Sequence, residues 1–132
     1  MSLDVGTKRI GVAISDFLHI LAIGNCTIAR NPEEEAIQKI KNLAYENKIK
    51  TIVVGVPLNM DGSEGNQAKD CIWFANNLKK DFEIVFEDER LTSMQAEENL
   101  KNRKIDFRKH KELVDIESAC IILEQYLSRV KK

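Results

Sequence analysis

No apolar run in the sequence approaches the ~20 residues that a membrane-spanning helix needs, which argues against an integral membrane protein. There is no signal-peptide pattern: Met1-Ser2-Leu3-Asp4 meets a charge almost at once. Only three residues precede Asp4, so a strand carrying it would start abruptly, as a trimmed N-terminus would. Cysteine is scarce and scattered. Cys26, Cys71 and Cys120 form no CxxC and no even set, so reduced thiols in a cytoplasmic protein are expected rather than a disulfide framework. Neither sign of charge dominates: 20 Lys and Arg face 21 Asp and Glu, for a net charge of −1. Any nucleic-acid binding must then come from a local basic patch. No repeat, low-complexity tract or linker interrupts the 132 residues, so one domain covering residues 1–132 is expected.

What is present is a regular succession of elements. Leu3-Asp4-Val5, Arg9 to Ser15 and Ile20 to Ala29 read as a three-stranded meander, with turns at Gly6-Thr7-Lys8 and Asp16 to His19. Asn31-Pro32 opens a helix, Asn as cap and Pro in the first helical position. Glu33, Glu34 and Glu35 complement its dipole, and Ala36, Ile37, Ile40, Leu43 and Ala44 repeat at helical spacing. Thr51 to Val54 reads as a buried parallel strand. A loop from Gly55 to Gly65 leads to a helix over Asn66 to Lys80, and Phe82 to Phe86 forms a further strand. Thr92 with Gln95 suggests a capping box for a short helix through Leu100. After a polar, basic stretch from Asn102 to Lys111, Ile116, Ala119, Cys120, Leu123, Tyr126, Leu127 and Val130 mark one face of a final helix. The order βββ-α-β-α-β-α-α implies an α/β fold, a mixed five-stranded sheet flanked by helices. Ligands in such sheets gather beyond the carboxyl ends of the strands.

Four segments could carry chemistry there. Asp4 ends the first strand before a glycine turn, where Gly6 would leave room for a metal or phosphate; an ordinary hairpin with a capping Asp is an equal reading. The Gly55 to Gly65 loop offers backbone N–H groups to a phosphate, although a structured turn without a ligand is the commoner case. It is no P-loop, since the spaced Gly-Lys-Ser/Thr pattern is absent. Glu87-Asp88-Glu89 places three acids in a row just beyond a strand, which is costly without a cation; Arg90 offers local compensation and a salt-bridged loop is the alternative. Asp115 opens the last helix, where an acid is often only a dipole partner, with Glu112 three residues before it. His19 and His110 are isolated and read as loop or surface residues. Trp73 and the cysteines read as core.

Taken together and in this order, the segments resemble the YqgF/RuvX family. Asp4-Val5-Gly6-Thr7-Lys8-Arg9-Ile10-Gly11 resembles its opening motif, and Pro57-Leu58-Asn59-Met60-Asp61-Gly62-Ser63 its central loop. Asp88-Glu89-Arg90-Leu91-Thr92-Ser93 resembles its third motif. Asp115 with Ala119, Ile121-Ile122-Leu123 and Tyr126-Leu127 resembles its last. The chain departs from the family at Phe107-Arg108-Lys109-His110-Lys111-Glu112, where the family is richer in arginine and glycine, and at Glu117-Ser118.

The resemblance implies an RNase H-like fold and a cytoplasmic hydrolase, a nuclease that matures the 5′ end of pre-16S rRNA. A Holliday junction resolvase acting on branched DNA is the alternative reading. Asp4, Glu89 and Asp115 are then the catalytic and metal-binding acids, with Mg2+ or Mn2+ as cofactor. Hard divalent ions suit a few carboxylates from separate segments. Lys8, Arg9, Asn59, Arg90, Arg103, Lys104, Arg108 and Lys109 are the candidate substrate contacts. Nucleic acid, and through it ribosomal particles, are the expected partners, with no membrane and with a monomer or weak dimer. Two other classes compete: an actin-like ATP-binding protein, for which the chain is short, and a non-catalytic RNA-binding ribosome-assembly factor.

Overall fold

In the computed structural model, which describes residues 1–90, 92–106 and 108–130, nine elements follow one another. The strands are β1 (Ser2–Val5), β2 (Arg9–Ser15), β3 (Ala22–Ala29), β4 (Thr51–Val56) and β5 (Glu83–Asp88). The helices are α1 (Glu33–Glu46), α2 (Asn66–Asn76), α3 (Thr92–Asn102) and α4 (Lys111–Val130). The sheet runs β3-β2-β1-β4-β5. β1, β2 and β3 form the antiparallel meander, and β4 and β5 extend it in parallel with β1. The element order is the one the sequence implies.

Side-chain alternation along the strands gives the sheet two unlike faces. Leu3 and Val5 of β1, Ile10 and Val12 of β2, and Ile52 and Val54 of β4 point toward α1 and α2. They pack there with Ala36, Ile40, Phe74 and Leu78 in the larger core. Each fully buried aliphatic side chain there stabilises the fold by about 1.5–3 kcal/mol, so most of the stability resides on this face. The opposite face presents small residues: Ser2, Gly11, Ala13, Gly24 and Gly55. Against them lies α4, with Ala119, Ile122, Leu123 and Leu127 completing a second, smaller core. The approach is close. A Cβ at Gly24 would stand 2.6 Å from Cγ2 of Ile116, and one at Gly11 would collide with the Asp115 backbone. Ser2 Oγ donates to the carbonyl of Ala119 at 2.6 Å. α3 packs on α4 from outside.

Several details differ from the sequence reading. Pro32, not Asn31, is the N-cap of α1 and makes no side-chain cap bond. α2 stops at Asn76; Leu78 stays in the core through a turn, its N–H donating to Ala75. The capping box at α3 does not form: Thr92 Oγ1 is buried without a partner and Gln95 turns to Asn99. Trp73 is 54% exposed rather than core, because α2 buries Ala68, Cys71, Phe74 and Ala75 instead. Val130 is likewise exposed at the end of α4. Cys71 and Cys120 are buried, Cys26 is half-buried, and all three are free. Leu91 and Phe107 of the quoted motifs, and the side chain of Ser93, lie outside the described residues.

Candidate active site

The parallel strands β1, β4 and β5 end on one side of the sheet, and the β1–β2 turn lies beside them. Asp4 sits near the end of β1, opposite Gly11 of β2. By alternation with Leu3 and Val5 it faces α4. Leu3 pairs with Val54 of β4, so Gly55 follows in the row beside Asp4. Asp4 is thus flanked on both neighbouring strands by residues without side chains.

The other two acids occupy those gaps. Glu89 follows β5, its N–H donating to the Val56 carbonyl at 3.1 Å. Its carboxylate folds back over β4, where a Cβ on Gly55 would meet its Cδ and Oε2 at 2.9 Å. Asp115 approaches from the other side, its backbone over Gly11. α4 begins at Lys111, so Asp115 stands one turn inside the helix rather than at its start, and Glu112 occupies the exposed first turn.

Glu89 is buried, and its side chain is hydrogen-bonded to that of Asp4. Burial pushes the Glu89 carboxyl far above the usual carboxylate range, and the neighbouring charge of Asp4 adds to the effect. Burial also raises Asp4, helped by the charge of Asp115 and partly opposed by the hydrogen bond to Glu89. Two withdrawn carboxyls in contact cannot both ionise cheaply, so burial and mutual repulsion hold both above the ordinary carboxylate range. Asp115 is turned to Arg9, whose Nε donates to Oδ2 at 2.7 Å. Asp4 and Glu89 are therefore in contact and Asp115 lies close by. Among the described residues, however, no three His, Cys, Asp or Glu side chains already stand as a metal cage.

A residue that the sequence reading passed over holds the turn beside the acids. Arg30, at the end of β3, has only 6% of its side chain exposed. Nη1 donates to the Gly6 carbonyl at 3.0 Å and to Asp70 at 2.7 Å, Nε and Nη2 donate to Glu33, and the guanidinium lies over the Phe74 ring. Its own N–H donates to the Lys8 carbonyl. Gly6 is required by this turn, since a Cβ there would stand 2.7 Å from the Arg9 carbonyl.

The expected substrate contacts are divided. Lys8, Asn59, Arg90, Arg103, Lys104, Arg108 and Lys109 are all exposed. Asn59 is occupied within its own loop by Ser63, which Asp61 also holds. Arg90 binds Asp88 and the Met60 carbonyl, tying the β5 end to the Gly55–Gly65 loop. Arg103 reaches Glu117 of α4 at 3.0 Å, which engages part of the basic stretch. His19 and His110 are exposed, as read.

An antiparallel meander extended by two parallel strands, with acids gathered at one strand end beneath a long helix, is the RNase H-like α/β fold. A search by structure agrees. The chain resembles the Fowlpox virus resolvase, crystallised with its substrate Holliday junction DNA. The TM-score is 0.54 at 11% identity, covering 99% of this chain and 97% of that one. The sequence narrows the class. The family model described as RuvX, Holliday junction resolvase, matches residues 1–129, and the chain belongs to that family. Among curated relatives, a protein of Gloeothece citriformis is 44% identical over 131 residues, 98% of this chain and 87% of that protein. One of Thermoanaerobacter pseudethanolicus is 40% identical over 134 residues, 99% and 96% of the two chains. Both are provisionally named pre-16S rRNA nucleases.

Proposed function

We propose that this chain is a divalent-metal-dependent nuclease that hydrolyses phosphodiester bonds at the 5′ end of pre-16S rRNA, with Asp4, Glu89 and Asp115 as its acidic centre. The observation that carries the reading is the convergence of acids from distant segments: the Glu89 carboxylate lies over Gly55 beside Asp4, and the Asp115 backbone lies over Gly11, opposite Asp4. Buried carboxylates held against their own repulsion make a site that favours a hard cation. The donor set, carboxylate oxygens from β1, the end of β5 and α4, suits Mg2+ or Mn2+, which take few protein ligands and retain water. Such an ion supplies an activated water and neutralises charge on the transferring phosphate.

The chain's own groups have definite parts. Asp4 and Glu89 would hold the ion in their ionised form, and Asp115 would join them by giving up its ion pair with Arg9. The Arg9 guanidinium would then be available beside the acids for a phosphate oxygen, as its planar fork suits. Lys8, Arg108 and Lys109 add exposed positive charge, which sets affinity and register but reads no bases. Three unpaired thiols suit a reducing cytoplasm. The relatives' names favour rRNA. The family's description supports a second reading, the same centre acting on branched DNA. Cleavage of a pre-16S 5′-leader RNA and of a four-way DNA junction, side by side with Mg2+ and with EDTA, separates them. Metal-dependent cutting of the RNA alone is expected; cutting of the junction alone moves the substrate to DNA. Binding without cutting of either means a non-catalytic assembly factor.

A further inference from the structure

Among the described residues, two buried side-chain oxygens have no hydrogen-bond partner, Thr92 Oγ1 and Ser118 Oγ. Both belong to the surroundings of the acids. Thr92 closes the turn that Glu89 opens, its N–H donating to the Glu89 carbonyl at 3.0 Å. Ser118 lies on α4, one turn after Asp115 and one turn before Ile122. The Asp115 backbone covers Gly11 of β2, and Cδ1 of Ile122 reaches Gly55 of β4, where the Glu89 carboxylate also lies. Gly11 and Gly55 flank Asp4 of β1, whose side chain faces α4. Residues three and four apart share a helix face, so Ser118 is the part of α4 that roofs Asp4.

Packing alone does not call for a hydroxyl there. Ser118 is only 1% exposed. What the close approach of α4 demands is smallness, which Ala119 supplies at the next position with no polar atom. A buried hydroxyl without a partner is destabilising. A helical serine can relieve that strain by donating to the carbonyl four residues before it, but Ser118 does not take the Val114 carbonyl. Of Asp115, Ser118, Ala119 and Ile122, the side chains that α4 turns toward the acids, Ser118 carries the one hydroxyl. Its donor stands ready over carboxyls drawn from β1 and the end of β5.

We infer that Ser118 is a positioning residue of the acidic centre: its hydroxyl donates to the Asp4 carboxylate when that group holds a divalent ion, fixing which oxygen faces the ion. The inference rests on the metal-dependent function proposed above. A carboxylate that ligates through one oxygen keeps lone pairs on the other, and a hydroxyl is a suitable donor to them. Outer partners of this kind orient a ligand, and losing one weakens metal binding by roughly 10- to 100-fold. The hydroxyl is therefore a cost to the metal-free fold and a gain to the metal-loaded one. It acts through Asp4 and touches neither the substrate nor the reacting atoms.

Mg2+ titration calorimetry, with thermal melts in and out of Mg2+, tests this on the full chain. Ser118→Ala removes the hydroxyl and keeps a small side chain. Its metal-free melting temperature should stay level or rise, while its Mg2+ affinity falls roughly tenfold or more. Ser118→Cys fills the site with a weak donor and should bind Mg2+ as poorly as Ser118→Ala. Mg2+ should raise the melting temperature of the parent more than that of either variant. If Ser118→Ala binds Mg2+ as the parent does while Asp4→Asn does not, the inference is overturned and the metal-dependent reading stands. A parent that binds no Mg2+ overturns both. A metal-free Ser118→Ala chain that melts well below the parent also overturns the inference, by giving the hydroxyl a purely structural role.

Discussion

Gly55 and Glu89 occupy the same space: a Cβ on Gly55 would stand 2.9 Å from the carboxylate carbon of Glu89 and 2.5 Å from Cδ1 of Ile122. The glycine is what allows an acid from beyond β5 to lie across β4 and reach Asp4 on β1. Gly55→Ala should therefore move Glu89 more than it harms the fold. Both obstructing groups are side-chain atoms that can shift, so a stability loss of about 1–2 kcal/mol is expected, with a larger fractional loss of cleavage. Thermal melts and cleavage rates on the same preparation check this. Cleavage that falls no further than the folded fraction would mean that Glu89's position is immaterial.

The Arg9–Asp115 ion pair is partly exposed on both sides, so it contributes no more than about 1 kcal/mol to stability. Arg9→Gln should melt within a few degrees of the parent. It should also lower the Mg2+ concentration needed for half-maximal activity, because Asp115 no longer has a competing cation, while weakening substrate binding. An unchanged metal requirement would show that Asp115 does not exchange partners.

Stability in metal-free buffer should depend on pH with a sign set by the raised carboxyls of Asp4 and Glu89. Asp4 and Glu89 keep protons to higher pH when folded, so the folded state binds more protons than the unfolded chain above the ordinary carboxylate range of about 4. Their contribution is full below that range and is lost as pH rises through the raised values into the neutral and alkaline region. The Met1 ammonium, pushed down to about 6 by burial, acts in the opposite sense between its folded value and its ordinary 8.0. It is common to parent and variants and cancels between them. Asp4→Asn should flatten the decline, and Mg2+ should stabilise the parent most at high pH. Parallel pH profiles for parent and Asp4→Asn would remove the pair from the account.

Arg30 offers a test of the scaffold. Replacing it with Met keeps much of the packing on Phe74 but leaves Asp70 and Glu33 unpaired and the Gly6 carbonyl without its donor. Because both acids reach solvent, the cost should fall at the low end for a broken buried pair, about 3 kcal/mol. Denaturant unfolding measures it directly; a loss under about 1 kcal/mol would mean that the clamp does not hold the turn.

The elements were legible in the sequence because their signals are local: alternation in Arg9–Ser15, helical spacing in α1 and α4, and acids set just beyond strands. The same alternation held a message that periodicity in apolar residues does not reveal. Gly11, Gly24 and Gly55 face α4, and their smallness fixes how close that helix comes and where Glu89 can lie. Gly6, the glycine most visible in the motif, closes a turn against the Arg9 carbonyl. Arg30 was illegible for another reason. Its partners Gly6 and Asp70 lie 24 and 40 residues away, and nothing in the local pattern joins them. The start of α4 was misjudged because Lys111 to Val114 is too short and mixed to show a helical period, although Asp115 itself stood out as an acid beside an apolar stripe.

The central claim, that these carboxylates hold the metal and cut the chain, is tested most directly with Asp4→Asn. The substitution removes one charge at almost constant volume. Cleavage of the pre-16S 5′-leader RNA in Mg2+ should fall roughly a thousandfold or more, and calorimetric Mg2+ binding should weaken with it. The metal-free melting temperature at neutral pH should stay level or rise, since a repulsion has been relieved. A variant that binds Mg2+ and cuts as the parent does would contradict the account.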